Sequence, residues 1–245
     1  MAIADLAFLA FIAAALLVDH FVLWPRFVRL SVAEPARARV GLWSSWIAML
    51  WILTAITVGL WIVDARDWAA LRVKVPHGAS LYVSIGLGLL LAAAYARAAV
   101  RIIRARGTER IRKVGDPGLE KLLPHTPAEL CLWVALSLSA GIGEEVIFRG
   151  YLITAFEPLL GVWGAALCSL VVFTLAHAYQ GARWMWIPGV YGFALTLVVL
   201  LSGSLFPAIV LHALVDIGQG LVGWLALDDP ESPDGSATAG TLSTP

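Results

Sequence analysis

An all-α bundle of about seven membrane-spanning helices is the fold this chain predicts, with any catalytic core in its four C-terminal helices. Two observations predict it. The 245 residues are 60% hydrophobic and only 14% charged, with a mean hydropathy of +0.84, where a soluble domain holds about 45–50% apolar and about 25% charged residues. The apolar residues also gather into stretches of the ~20 residues that a helix needs to cross the hydrocarbon. The net charge is zero, so no global field recruits nucleic acid, and the lipid bilayer is the expected surrounding.

The first span reads as residues 3–24, closed by Pro25 and Arg26. It lacks a basic leader and carries Asp5, so it reads as a retained span rather than a signal peptide. A second span covers residues 41–63 and a third 79–100. The fourth starts near Pro127, carries Glu144 and Glu145 towards its end, and stops before Pro158 and Gly161. A fifth covers 162–178, a sixth 186–201 and a seventh 206–225, the last two separated by Ser202-Gly203-Ser204 and Pro207. The domain reading is a three-span region with basic cytoplasmic loops over 1–113, a helical core over 127–225 and a polar, disordered tail over 226–245. Cys131 and Cys168 sit in separate apolar stretches and read as packing residues.

Positive charge orients the bundle. The first loop holds Arg26, Arg29, Arg37 and Arg39, and the third holds Arg101, Arg104, Arg106, Arg110, Arg112 and Lys113. Both are expected on the cytoplasmic side, with the N-terminus outside. The Ala-, Arg- and Trp-rich composition fits a bacterial inner membrane.

Ionisable residues inside apolar spans cost roughly 2.5–3.5 kcal/mol each near a helix centre on insertion scales, so each needs a reason. Glu145 and Arg149 lie four apart, in the order that favours an ion pair on one helix face. Glu144 is turned about 100° away from its neighbour and is the carboxylate left free for a reactant. Phe173 and His177 share a face one turn apart, as do His212 and Asp216. Asp216 is expected to accept the ring N–H of His212 or to face the same cavity. Structural hydrogen bonding explains any one of these groups; three on late helices favour one shared site.

Glu and His together hold and deprotonate a water for attack on a peptide carbonyl, and a second His donates to the oxyanion. Glu144, His177 and His212 also make a possible zinc set with water in the fourth position. The zinc motif HExxH, a GxSxG elbow and a phosphate-binding loop are all missing. His125 and Glu129 are given no role.

Glu144-Glu145-x-x-x-Arg149, Phe173-x-x-x-His177 and His212-x-x-x-Asp216, in that order, resemble the three motifs of the CPBP family of CAAX prenyl endopeptidases and bacteriocin-processing proteins, also called Abi. The resemblance covers about residues 128–225. It implies a multi-span intramembrane endopeptidase whose site lines a cavity in the bilayer and whose partner is a peptide or protein near the membrane. By resemblance Glu144 and His177 activate water, His212 and residue 216 serve the oxyanion, and Glu145 and Arg149 support them, with Phe173 beneath His177. The family usually has Asn where this chain has Asp216, and a carboxylate donates to an oxyanion only when protonated. Members act with a metal or without one, so zinc is a possible cofactor. Prenylated substrates are not implied. The alternative is a non-catalytic peptide-binding protein, for self-immunity or scaffolding, on the same fold; a proton-relaying transporter lacks the internal repeat it calls for.

Overall fold

The computed structural model describes residues 2–104 and 121–227. The basic residues from Arg106 to Lys113 and the polar tail from 228 onward lie outside the described residues. Among these residues the regular elements are all helical, with no strand. The elements are α1 (Ile3–Val18), a π-helical turn (Asp19–Leu23), α2 (Trp24–Ala33), α3 (Pro35–Val63), α4 (Ala79–Arg104), α5 (Pro127–Glu144), a π-helical segment (Glu145–Leu152), α6 (Ile153–Ala176), α7 (Trp186–Ser202) and α8 (Phe206–Leu227).

Five helical stretches among the described residues are long and apolar enough to cross a membrane: Ile3–Ala33, Pro35–Val63, Ala79–Arg101, Pro127–Ala176 and Phe206–Trp224. Trp186–Ser202 is a shorter apolar helix. The fourth and fifth spans of the sequence reading lie in one 50-residue stretch, broken where Gly161 takes φ 67°. A positive φ of that size suits glycine, which has no Cβ to clash.

Two boundaries differ from expectation. The first helix does not stop at Pro25, because the π turn shifts the hydrogen-bond register just ahead of it and accommodates the N–H that proline lacks. Residues expected in the first loop are therefore helical. Arg39 is not a loop charge at all. It is buried and donates to Glu129 at 2.8 Å, which also accepts from the backbone N–H of His125 at 2.7 Å. Thr126 caps α5 by accepting from the Glu129 N–H, so Glu129 completes a reciprocal cap and ties α3 to the start of α5.

The outer face of α6 shows why the pattern is that of a membrane protein. Leu159, Trp163, Leu167, Val171 and Leu175 recur every four residues and are all exposed, a stripe that water would penalise and lipid accepts. The chain is an integral membrane protein. Its core gathers Phe8 and Ile12 of α1, Leu50, Leu53 and Trp61 of α3, Ile147, Phe148 and Tyr151 of the π segment, and Phe173 of α6. On the other side Val146 packs with Leu195, Val199 and Leu211 of α7 and α8. The glutamate segment is thus clamped between two apolar layers. Cys131 and Cys168 are both free thiols.

Candidate active site

The site begins with how closely α5 can approach α8. A Cβ on Gly141 would meet the Ala213 Cβ at 2.9 Å and the Ile209 carbonyl oxygen at 3.0 Å. Only glycine lets the backbones come this near, and small residues do this between membrane helices generally. The approach delivers Glu144 and Glu145 to His212.

At Glu145 the helix switches to π geometry, a feature often found at functional sites. Glu145 points inward and is fully buried. Its Oε1 accepts from Arg149 Nη1 at 2.8 Å and from His212 Nδ1 at 2.8 Å. The expected ion pair is present, and one oxygen joins it to a helix 67 residues away. Arg149 also donates to the Gly192 carbonyl (2.9 Å) and to Thr196 Oγ1 (3.3 Å), and its guanidinium lies over the Phe173 ring at 4.2 Å. A Cβ on Gly192 would fall 2.6 Å from the Phe173 ring and 2.9 Å from Arg149 Nη2. Arg149 is thereby held on four sides, and Phe173 serves as its platform as well as packing on His177 at 4.7 Å.

Of the two places expected for Asp216, the structure shows the second, facing the cavity with His212. Asp216, one turn along, stands 3.6 Å from His212 Nε2, beyond a good hydrogen bond. Glu145 is the acceptor that fixes the ring, through Nδ1. His212 Nε2 is left facing the cavity, 3.8 Å from Glu144 Oε2. That Glu144 oxygen is buried and has no hydrogen-bond partner among the described residues.

His177 ends α6 at a non-helical φ/ψ of −94°/12°. Its Nδ1 lies 2.9 Å from the Phe173 carbonyl. A carbonyl only accepts, so Nδ1 carries the proton and Nε2 keeps its lone pair. The chain then turns through Ala178–Gln180. Burial pushes the Tyr179 hydroxyl above its usual pKa, so it stays a neutral phenol.

Glu144, His177, His212, Asp216 and Phe173 all line one cavity of about 420 Å³. Glu145 and Arg149 sit behind it. Tyr191, whose hydroxyl donates to the Leu211 carbonyl at 2.9 Å, and Trp133, whose Nε1 donates to the Asp216 carbonyl at 2.8 Å, also line the cavity and brace α8 on either side of the His212 turn. The sequence reading missed these two, along with Asp19, Trp46 and Tyr179. An ionisable residue inside the first span was the available signal for Asp19; nothing local marks the aromatics.

The residues do not fit a metal as placed: among the described residues no group of three His, Cys, Asp or Glu side chains is arranged to hold one.

No curated protein and no solved structure matches the chain. A family model does, over residues 126–218. That stretch opens at the Thr126 cap of α5, contains all three motifs and ends just past Asp216. Its description is Rce1-like, type II CAAX prenyl endopeptidase Rce1-like, and the match agrees with the resemblance of the three motifs to the CPBP family of CAAX-type proteases.

Proposed function

We propose that the protein is an intramembrane endopeptidase that hydrolyses a peptide bond with a water activated by Glu144. The observation that carries this reading is the buried, unpartnered Oε2 of Glu144, 3.8 Å from His212 Nε2 across the cavity. The unpartnered oxygen is a natural acceptor for a proton of water, and His212 Nε2 faces it across the cavity as a ring nitrogen free to serve the substrate carbonyl.

In this mechanism the water gives one hydrogen bond to Glu144 and the other to the lone pair of His177 Nε2. Glu144 takes the proton as the water oxygen attacks the carbonyl carbon. His212 donates from Nε2 to the oxyanion, while Nδ1 donates to Glu145. Collapse breaks the C–N bond, and the departing amine takes the proton from Glu144. Glu145 and Arg149 touch no reacting atom; they hold the His212 ring. Asp216 stands beside His212 Nε2 at the mouth of the oxyanion site.

We place the chain in a bacterial inner membrane with its N-terminus outside, so that Arg26 and Arg29 of α2, Arg37 at the start of α3 and the end of α4 face the cytoplasm. Precursor peptides and membrane-bound signalling proteins are the substrate class this position favours.

The full chain, reconstituted in liposomes with an equimolar peptide library in ¹⁸O-water, tests the reaction. Cleavage with one ¹⁸O in each new carboxyl terminus supports hydrolysis. Binding of peptides without any cleavage contradicts it and favours the non-catalytic reading. Activity surviving in metal-free protein is expected. Loss on chelation, restored by zinc, would contradict the metal-free mechanism.

A further inference from the structure

The cavity contains a carboxylate that the reaction above leaves unused. Asp19 opens the first π turn, is 6% exposed, and lines the same cavity as Glu144 and His177. Its Oδ1 accepts from Trp46 Nε1 at 2.5 Å. Among the described residues no donor reaches Oδ2.

Its surroundings are aromatic. The ring centroids of Trp46 and Tyr179 are 5.3 Å apart, and those of Trp24 and Tyr179 5.0 Å. Tyr179 continues to His177 at 6.0 Å. Three carboxylates, Asp19, Glu144 and Asp216, line the cavity with two histidines, His177 and His212, while no lysine or arginine among the described residues does. A carboxylate inside a membrane protein ordinarily has a cationic or hydrogen-bonding partner. Trp46 gives Asp19 a single neutral donor and leaves a cation's place open. A carboxylate beside indole and phenol faces binds an ammonium or guanidinium by charge and by cation–π attraction together.

We propose that Asp19 is a specificity-determining residue that seats a cationic group of the substrate beside the scissile bond. The proposal rests on the endopeptidase reading and adds the substrate class: peptides with a lysine or arginine side chain, or a free amine, next to the cut. Asp19 comes from α1 and its π turn, outside the matched segment, so this preference belongs to the N-terminal region of this chain.

The test uses the full chain in liposomes and an equimolar peptide library, half with free and half with acetylated amino termini. The cut sites are read by mass spectrometry. Wild-type protein is expected to enrich lysine or arginine at one position flanking the cut by at least about tenfold over glutamine and norleucine. Asp19→Asn brings that ratio close to one, and Asp19→Lys shifts it towards aspartate and glutamate. Enrichment surviving acetylation assigns the side chain, and enrichment confined to free termini assigns the amine. Trp46→Phe, which keeps a ring but loses the donor, should reduce the ratio less than Asp19→Asn.

A structural role for Asp19 would lower cleavage of cationic and neutral peptides alike and leave the ratio intact, which would overturn the proposal. Binding separates this failure from failure of the protease reading. Fluorescein-labelled peptides with lysine or norleucine at one site are titrated against the Glu144→Gln protein and followed by anisotropy. Tighter lysine binding that disappears in Asp19→Asn/Glu144→Gln upholds the cation site even if no peptide is ever cut. Equal binding of the two peptides refutes it.

Discussion

Glu145 is the residue on which the site turns, since one of its oxygens holds both Arg149 and His212. Arg149 is 1% exposed in its side chain, and breaking a buried pair from one end leaves an uncompensated charge worth about 3–5 kcal/mol. Glu145→Ala is therefore expected to lower thermal stability by that order and to release the His212 ring. Glu145→Gln keeps the volume and should fold better while still cutting cleavage more than tenfold, as read in kcat with KM little changed. Asp216 makes a second residue-scale prediction. With the His212 ring fixed by Glu145, Asp216→Asn removes no orienting bond and adds an amide donor near the oxyanion, so cleavage should stay within about tenfold of wild type. Loss of all activity in that variant would return the orienting role to Asp216. The Glu145–Arg149 pair was legible because a four-residue spacing is local information. The Glu145–His212 bond was not, since nothing in a spacing says which of several carboxylates a residue 67 positions away will meet.

Among the elements, helix type and helix approach were the parts hidden from sequence. Glu145 and Asp19 both open π-helical stretches, and no residue pattern distinguishes a π turn from an α turn in an apolar run. The apolar spans themselves were legible, because length and hydropathy are properties of the chain alone. Their ends were less so: the first helix passes Pro25 and reaches Ala33. Close approach is carried by Gly141 and Gly192, whose necessity appears only when the facing helix is in place. Gly192→Ala would drive a methyl group into the Phe173 ring and the Arg149 guanidinium, both tightly held. The variant should lose about 1–3 kcal/mol of stability and should depress cleavage beyond what that loss explains, measured in the fraction that remains folded. Unchanged stability and cleavage would show that α7 is not packed against Arg149 as described.

The matched segment does not stand alone at the scale of the whole molecule. Phe8 and Ile12 of α1 are core residues beside Ile147 and Phe148. The Asp5 carboxylate accepts from the Tyr151 hydroxyl at 3.2 Å and from Arg66 at 2.7 Å. Arg39 and Glu129 join α3 to α5, at 7% and 5% side-chain exposure. Arg39→Ala should accordingly destabilise the protein by about 3–5 kcal/mol. Residues 121–227 expressed without the N-terminal helices should give neither a folded bundle, by circular dichroism and proteolysis in detergent, nor cleavage. An active fragment would show that α1 to α4 are dispensable. The three motifs were readable in the chain, and so was their convergence on one site. That the cavity is completed by the first helix was not, because Asp19 and Trp46 meet only after folding.

Glu144→Gln bears most directly on the central claim, since it replaces a carboxylate by an isosteric amide that cannot take a proton from water. At least a thousandfold loss of kcat is expected, in the upper range for removing a general base, with unchanged abundance in the membrane, unchanged thermal stability and retained peptide binding. Cleavage by the Glu144→Gln protein at the wild-type rate would contradict it.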